Sequence, residues 1–403
     1  MTLRSLSALA LLCATAMPVC ADGEFYRDIR PAHWMWNGID PINLDATLER
    51  IRAGAPEDGP ADGATEYGPG EWTYEFESLG DSLVRRADVQ VAAGNALVAA
   101  ELLSRAAGHY AVAKFPYVGE NPNQERNFGK NIDALMRAAA LRGHQVEQVK
   151  GNWGGHAIDG ILTLPADEDG PIPVVVASNG IDVLKGEFFG LTEALLAEGI
   201  GLLAYDMAGT GSHSQIRLAP DYEQLPVALM EILRSDKRVD GDRFAIMGVS
   251  FGGGIAVKLA MQAPEGLRAA VNVCGPVHSV FQLEAEQIAY VGEMYRHAFA
   301  DRANLDPNDF EAIAAALKGF SLVDQGLIGE GRTTHVPIFS INARGDDVAP
   351  ESDMELVTAS TTDGTLVWSG TDDHCPQDRW QMTSKLVPWL VEHLNSAKGD
   401  DHG

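Results

Sequence analysis

Asp242-Arg-Phe-Ala-Ile-Met-Gly-Val-Ser-Phe-Gly-Gly-Gly254 is the stretch whose pattern decides the fold. Residues 243–248 form a short apolar run of strand type, and residues 254–261 continue as a helical pattern. Between them lies Gly248-Val-Ser-Phe-Gly252, a G-x-S-x-G pentapeptide. A strand that turns at once into a helix holds its central residue in a strained backbone conformation. The residues two positions to either side must then lack a Cβ, so that the chain can pass itself closely. The Ser250 hydroxyl is expected to stand clear of the sheet. The Phe251 N–H points at the space where an oxyanion would form, helped by the positive end of the helix. The bland alternative is a glycine-rich turn, and the strand before and helix after favour the elbow.

Outward from this segment the chain alternates. Residues 173–178, 200–206, 269–274, 336–343 and 365–368 read as strands, and residues 191–198, 222–235, 310–317 and 382–394 as helices. Residues 145–151 and 155–165 read as a strand pair, with a turn at 167–171. Buried strands alternating with helices predict an α/β fold with a mostly parallel central sheet covered on both faces. Ahead of it, residues 45–53 suggest a short helix and 55–70 a loop. Residues 87–109 and 128–142 carry helical periodicity, with a break at 116–126. The expected organisation is an N-terminal mainly helical module (22–143) and a core (144–277 and 333–397). A helical lid insertion (278–332) and a tail (398–403) complete it.

The chain has 403 residues and a net charge of −27, with 45% apolar and 22% charged residues. That charge argues against nucleic acid and anionic membrane surfaces, because phosphate contacts would meet a repulsive field. Residues 1–21 have the form of a secretory signal: Arg4, an apolar run over 6–17, and Val19-Cys-Ala21 before Asp22. A lipoprotein signal acylated at Cys20 ranks second. The expectation is a periplasmic or secreted protein without a membrane span. Cys274 and Cys375 are the only cysteines left to the mature chain. An oxidising compartment permits a bridge between them, but two separate buried thiols are the safer expectation from sequence. No Cys/His spacing suggests a metal site.

A serine needs a base to take its proton, and the base needs a third group to hold its tautomer. After the serine, the order acid then histidine is met by Asp346 and His374. Asp346 ends a strand four residues before Pro350, with Asp347 as its rival. His374 follows a late strand and precedes the last helix. His278, His297 and His335 all precede the acid and are weaker candidates. The second oxyanion donor is expected after the first central strand, in Asn179-Gly-Ile-Asp182, with the Ile181 N–H as the donor. Asp206-Met-Ala-Gly-Thr-Gly-Ser212 reads as a structural turn, Asp206 fixing the loop.

Taken together these residues resemble an α/β-hydrolase, and more narrowly the FrsA-like esterases, whose relatives include dihydroxypseudooxynicotine hydrolase. The likeness rests on residues 173–187, 206–211 and 236–254 and on the His374-Cys375 pair, and the helical stretch ahead of the sheet fits it. The secretory signal departs from that family, as does Asp372-Asp373 beside His374, a pair expected to raise the histidine's pKa. The resemblance implies a serine hydrolase cleaving carboxylic esters of a small molecule, with no cofactor and no metal. A homodimer is carried as the assembly. Two alternatives stand beside it. One is hydrolysis of a C–C bond in an activated ketone, with Glu284, Glu286 or Glu293 as proton donor. The other is a non-catalytic binding protein on the same scaffold. Phe281, Tyr290, Met294, Tyr295 and Phe299 of the lid are expected either to line an apolar pocket or to pack the core.

Overall fold

The computed structural model describes residues 24–395 apart from 27, 64–65, 115–121, 167–169 and 372–373. The expected leader and tail, the turn at 167–169, residues 116–121 of the helical break and the Asp372-Asp373 pair lie outside the described residues.

The N-terminal part consists of α1 (Pro31–Trp36), α2 (Pro41–Ala53), α3 (Trp72–Ala92), α4 (Ala96–Ala113) and α5 (Pro122–Leu141). The single helical run expected over 87–109 is two helices, because Gly94 adopts φ +78 and turns the chain. α3 begins well before that run. Its first turns carry buried Glu75 and Glu77, which break the apolar period. Both are paired: Arg50 Nε with Glu75 at 2.5 Å, and Arg126 and Lys130 with Glu77 at 2.5 and 2.8 Å. α5 starts at Pro122 rather than near residue 128, proline being well suited to a first helical turn. Trp34, Trp72 and Phe76 form the centre of this module through edge-on and tilted ring contacts.

The sheet-forming part follows as β1 (Gln145–Trp153), β2 (His156–Leu164), β3 (Ile172–Ser178), α6 (Phe189–Leu196), β4 (Gly201–Tyr205), α7 (Gln224–Leu233), β5 (Val239–Val249), α8 (Phe251–Gln262) and β6 (Leu267–Val273). Next come α9 (Ala285–Ile288), α10 (Glu293–Ala303) and α11 (Phe310–Lys318), then β7 (Ile338–Asn342), α12 (Glu351–Ala359), β8 (Gly364–Trp368) and α13 (Arg379–Asn395). The eight strands form one sheet in the order β1-β2-β4-β3-β5-β6-β7-β8. The first two pairings are antiparallel, and every pairing from β4–β3 onward is parallel.

Parallel strands buried on both faces must be apolar throughout, and β3, β4 and β7 have no exposed residue. On one face α7, α8 and the helices after β6 share a core with Ile246, Leu203 and Phe244. On the other face, α6 and α13 pack against Val175, Met247 and Val271. Trp36 of α1 joins that second cluster and so docks the N-terminal helices onto the sheet layer. Among the described residues no helix is long and apolar enough to cross a membrane.

Candidate active site

The steric account of the elbow can be followed atom by atom. Ser250 sits between β5 and α8 with φ 53 and ψ −127, a backbone state that side chains rarely adopt. A Cβ on Gly248 would run into the Gly252 carbonyl, and one on Gly252 would lie 2.6 Å from the Asn179 oxygen. Both positions therefore exclude a side chain. The turn is pinned by the Ser250 N–H donating to the Val273 carbonyl at 2.8 Å and the Gly253 N–H to the Ser250 carbonyl at 2.7 Å.

Three side chains from separate strand ends converge here. Ser250 Oγ lies 2.8 Å from His374 Nε2, and His374 Nδ1 lies 2.7 Å from Asp346 Oδ2. This fits a neutral imidazole donating from Nδ1 to the carboxylate and accepting the serine proton at Nε2. Asp346 is buried, and its other oxygen accepts from the Val348 and Ala349 N–H groups at 2.8 and 3.0 Å. Its rival Asp347 is exposed and turned to solvent. His278 bonds to Ser321 at 2.8 Å, His297 lies 3.2 Å from the Tyr26 hydroxyl, and His335 is exposed. The structure brings none of these three to Ser250.

The two expected oxyanion donors flank the serine. Phe251 opens α8, where backbone N–H groups have no partner within the helix. The turn after β3 runs directly against the serine, since a Cβ on Gly180 would lie 2.8 Å from Ser250 Cβ. Among the described residues neither the Phe251 nor the Ile181 N–H donates to another protein atom. Arg302 of α10 fixes the turn from outside, its Nε donating to the Ile181 carbonyl at 3.0 Å. Sequence gave no hint of this contact, because 121 residues separate the partners. The structural turn at Asp206 buttresses the same loop: Asp206 accepts from the Lys185 and Ser212 N–H groups at 2.8 and 3.0 Å. Lys185 Nζ in turn reaches Asp159 and Ser212, each at 2.7 Å.

Cys274 and Cys375 form a disulfide, with Cα atoms 5.4 Å apart. The expectation of two separate thiols is corrected. β6 and the His374 loop meet at one sheet end, and the two cysteines, 101 residues apart in the chain, come within bonding distance, which spacing in the sequence does not fix. These two sulfurs and His374 also form a group compact enough for a metal, but the sulfurs are bonded to each other.

The lid residues divide. Phe281, Met294 and Phe299 are buried, and Tyr290 is 81% exposed and lines nothing. Phe281, Phe299 and Phe320 surround the Phe251 ring at 5.6, 6.1 and 5.1 Å. They therefore act as packing that holds the first turn of α8. Glu284, Glu286 and Glu293 are all exposed, with Glu284 paired to Lys318 and Glu293 to His297.

An elbow serine on β5, an acid after β7, a histidine after β8 and this strand order define an α/β-hydrolase. Solved structures agree on the fold. The 2,6-dihydroxy-pseudo-oxynicotine hydrolase superposes with a TM-score of 0.73 at 20% identity, covering 90% of this chain and 95% of that one. AbyA5 superposes with 0.66 at 19% identity, covering 91% and 95%. The chain belongs to the FrsA-like esterase family, whose model matches residues 11–392. It is similar to Esterase FrsA of Photobacterium profundum, 28% identical over 400 residues (97% of this chain, 94% of that protein). It is also similar to Esterase FrsA of Vibrio cholerae serotype O1, 30% identical over 379 residues (92% and 88%). It is therefore an ester-hydrolysing enzyme.

Proposed function

We propose that the enzyme hydrolyses carboxylic esters of small molecules by a two-step acyl transfer through Ser250. The observation that carries this is the continuous chain Ser250 Oγ to His374 Nε2 at 2.8 Å and His374 Nδ1 to Asp346 Oδ2 at 2.7 Å. His374 accepts the serine proton as Oγ bonds to the ester carbonyl carbon, and Asp346 stabilises the imidazolium so formed. The Phe251 and Ile181 N–H groups hold the negative oxygen of the tetrahedral intermediate. Collapse breaks the bond to the alkoxy oxygen, which leaves as alcohol with the proton from His374. Water then loses a proton to His374 as it attacks the acyl carbon; the bond to Oγ breaks, His374 returns the proton to Ser250, and the acid leaves. Ser250→Ala is expected to lower p-nitrophenyl ester turnover by at least roughly 10³-fold and to abolish labelling by a fluorophosphonate. A variant that keeps either would overturn the mechanism.

The mature protein lies outside the cytoplasm on this proposal. The leader-like residues 1–21 and the Cys274–Cys375 bridge support it, since disulfides persist in oxidising compartments. The family match begins at residue 11, inside the expected leader, so processing is tested directly. Protein recovered from its host should begin at Asp22, and retention of Met1 would contradict export by cleavage.

A further inference from the structure

Arg379 opens α13 five residues after His374, and it is 5% exposed. Among the described residues no carboxylate pairs with it. Its Nη1 reaches only Met382 Sδ at 3.9 Å, and its Nε has no hydrogen-bond partner. Two features make the place unfavourable for a cation. The first turn of a helix repels positive charge, and a second guanidinium, Arg30, lies close enough to oppose its charge. Burial, then Arg30, pushes the Arg379 guanidinium down to about 10. Arg30 itself is held by the Tyr295 hydroxyl at 2.6 Å and Asp28 at 3.8 Å.

Glu187 is a buried anion that acts on Arg379, but its oxygens are already engaged by Lys114 and by His33, the latter at 3.4 Å. His33 does not add a charge, since burial holds it down to about 4. Arg30 immediately precedes α1, which packs against α13, and Arg379 opens α13 close behind His374. Asp182, next to Ile181, acts on both Arg30 and Arg302, and Arg302 holds the Ile181 carbonyl. A chain of net charge −27 has thus brought cations together close behind the segment that carries His374 and left one without a counterion. A buried charge is tolerated when a partner arrives, and guanidinium forks match carboxylate and phosphate.

We propose that Arg379 and Arg30 form an anion subsite, so that the ester cleaved here carries a second, anionic group away from the scissile bond. This rests on the ester-hydrolase reading and narrows it to acidic substrates. The test compares kcat/KM for mono-p-nitrophenyl glutarate and p-nitrophenyl butyrate, on the full chain and on Arg379→Gln. The wild type is expected to favour the charged ester by at least tenfold, and Arg379→Gln to lower that ratio by roughly 10–100-fold, mainly through KM. Arg379→Lys should restore part of the ratio. If Arg379→Gln does not fold, the wild type decides alone: free glutarate or inorganic phosphate should inhibit competitively at concentrations at least tenfold below those of neutral valeramide. Whichever anion inhibits more strongly identifies the group as carboxylate or phosphate. Equal handling of the two esters by the wild type, an unchanged ratio in Arg379→Gln, or equal inhibition by anion and amide overturns the subsite. Ser250-dependent turnover of both esters without preference would leave the hydrolase reading intact, whereas no turnover and no fluorophosphonate labelling would remove that reading itself.

Discussion

Cys375 directly follows His374, the proposed general base, and is joined to Cys274 at the end of β6. The bond closes a loop of sequence separation 101, and it anchors the His374 loop to the strand next to β5. Chain-entropy arguments give a bridge of that span roughly 3–5 kcal/mol of stabilisation. Reduction, or the Cys274→Ala/Cys375→Ala pair, should lower the unfolding free energy obtained from urea titration by that amount and lower kcat, because His374 loses its tether. Titrating a reductant while following both unfolding and ester turnover checks this. Unchanged kcat in the bridge-free protein would mean that the loop is held by packing alone.

Asp346 and Asp347 are neighbours in sequence with opposite fates, one buried against His374 and one exposed. Asp346→Asn leaves the imidazole in the wrong tautomer, so kcat should fall by roughly 10³–10⁴-fold. Asp347→Asn should remain within about twofold of wild type. Steady-state kinetics of the two variants decides, and a reversed pattern would reassign the acid.

Gly180 packs against the serine with space for no Cβ: one would stand 2.8 Å from Ser250 Cβ and 3.2 Å from its Oγ. Gly180→Ala should move the oxyanion turn or the nucleophile and lower kcat by roughly 100-fold or more. The cost in stability should be about 1–3 kcal/mol, as for other overpacked sites. Thermal melting beside kinetics separates the two effects. Full activity would show that the turn is not held against the serine during turnover.

His33 gives the N-terminal docking a pH dependence. Burial first, and the facing cations Arg379 and Arg30, hold it down to about 4 from 6.5, against the opposing pull of Glu187. Between these values the unfolded chain binds a proton that the folded one refuses. Stability is therefore complete above about 6.5 and is lost as pH falls toward 4, by up to about 3 kcal/mol. His33→Gln should flatten that part of the stability profile, measured by denaturant titration from pH 7 to 4. An unchanged slope would place the titrating group elsewhere.

The elbow and the mostly parallel sheet were legible because buried parallel strands are unbroken apolar runs and because a strand–serine–helix turn admits only glycine at its flanks. The order of acid and histidine along the chain then restricted the partners to a few loop residues. What the sequence hid is of two kinds. The first turns of α3 escaped notice because Glu75 and Glu77 occupy buried positions, paired with Arg50, Arg126 and Lys130 from other helices. The Cys274–Cys375 bridge, the grip of Arg302 on Ile181 and the meeting of Arg30 with Arg379 depend on tertiary proximity. Distant residues carry no local signature of that kind.

The central claim is that Ser250 becomes covalently acylated. Rapid quenching of the enzyme with p-nitrophenyl butyrate, followed by peptide mass spectrometry, tests it most directly. The predicted result is a butyryl adduct on the peptide containing Ser250, absent from Ser250→Ala. Acylation of a different residue, or turnover that persists in Ser250→Ala without any adduct, would contradict it.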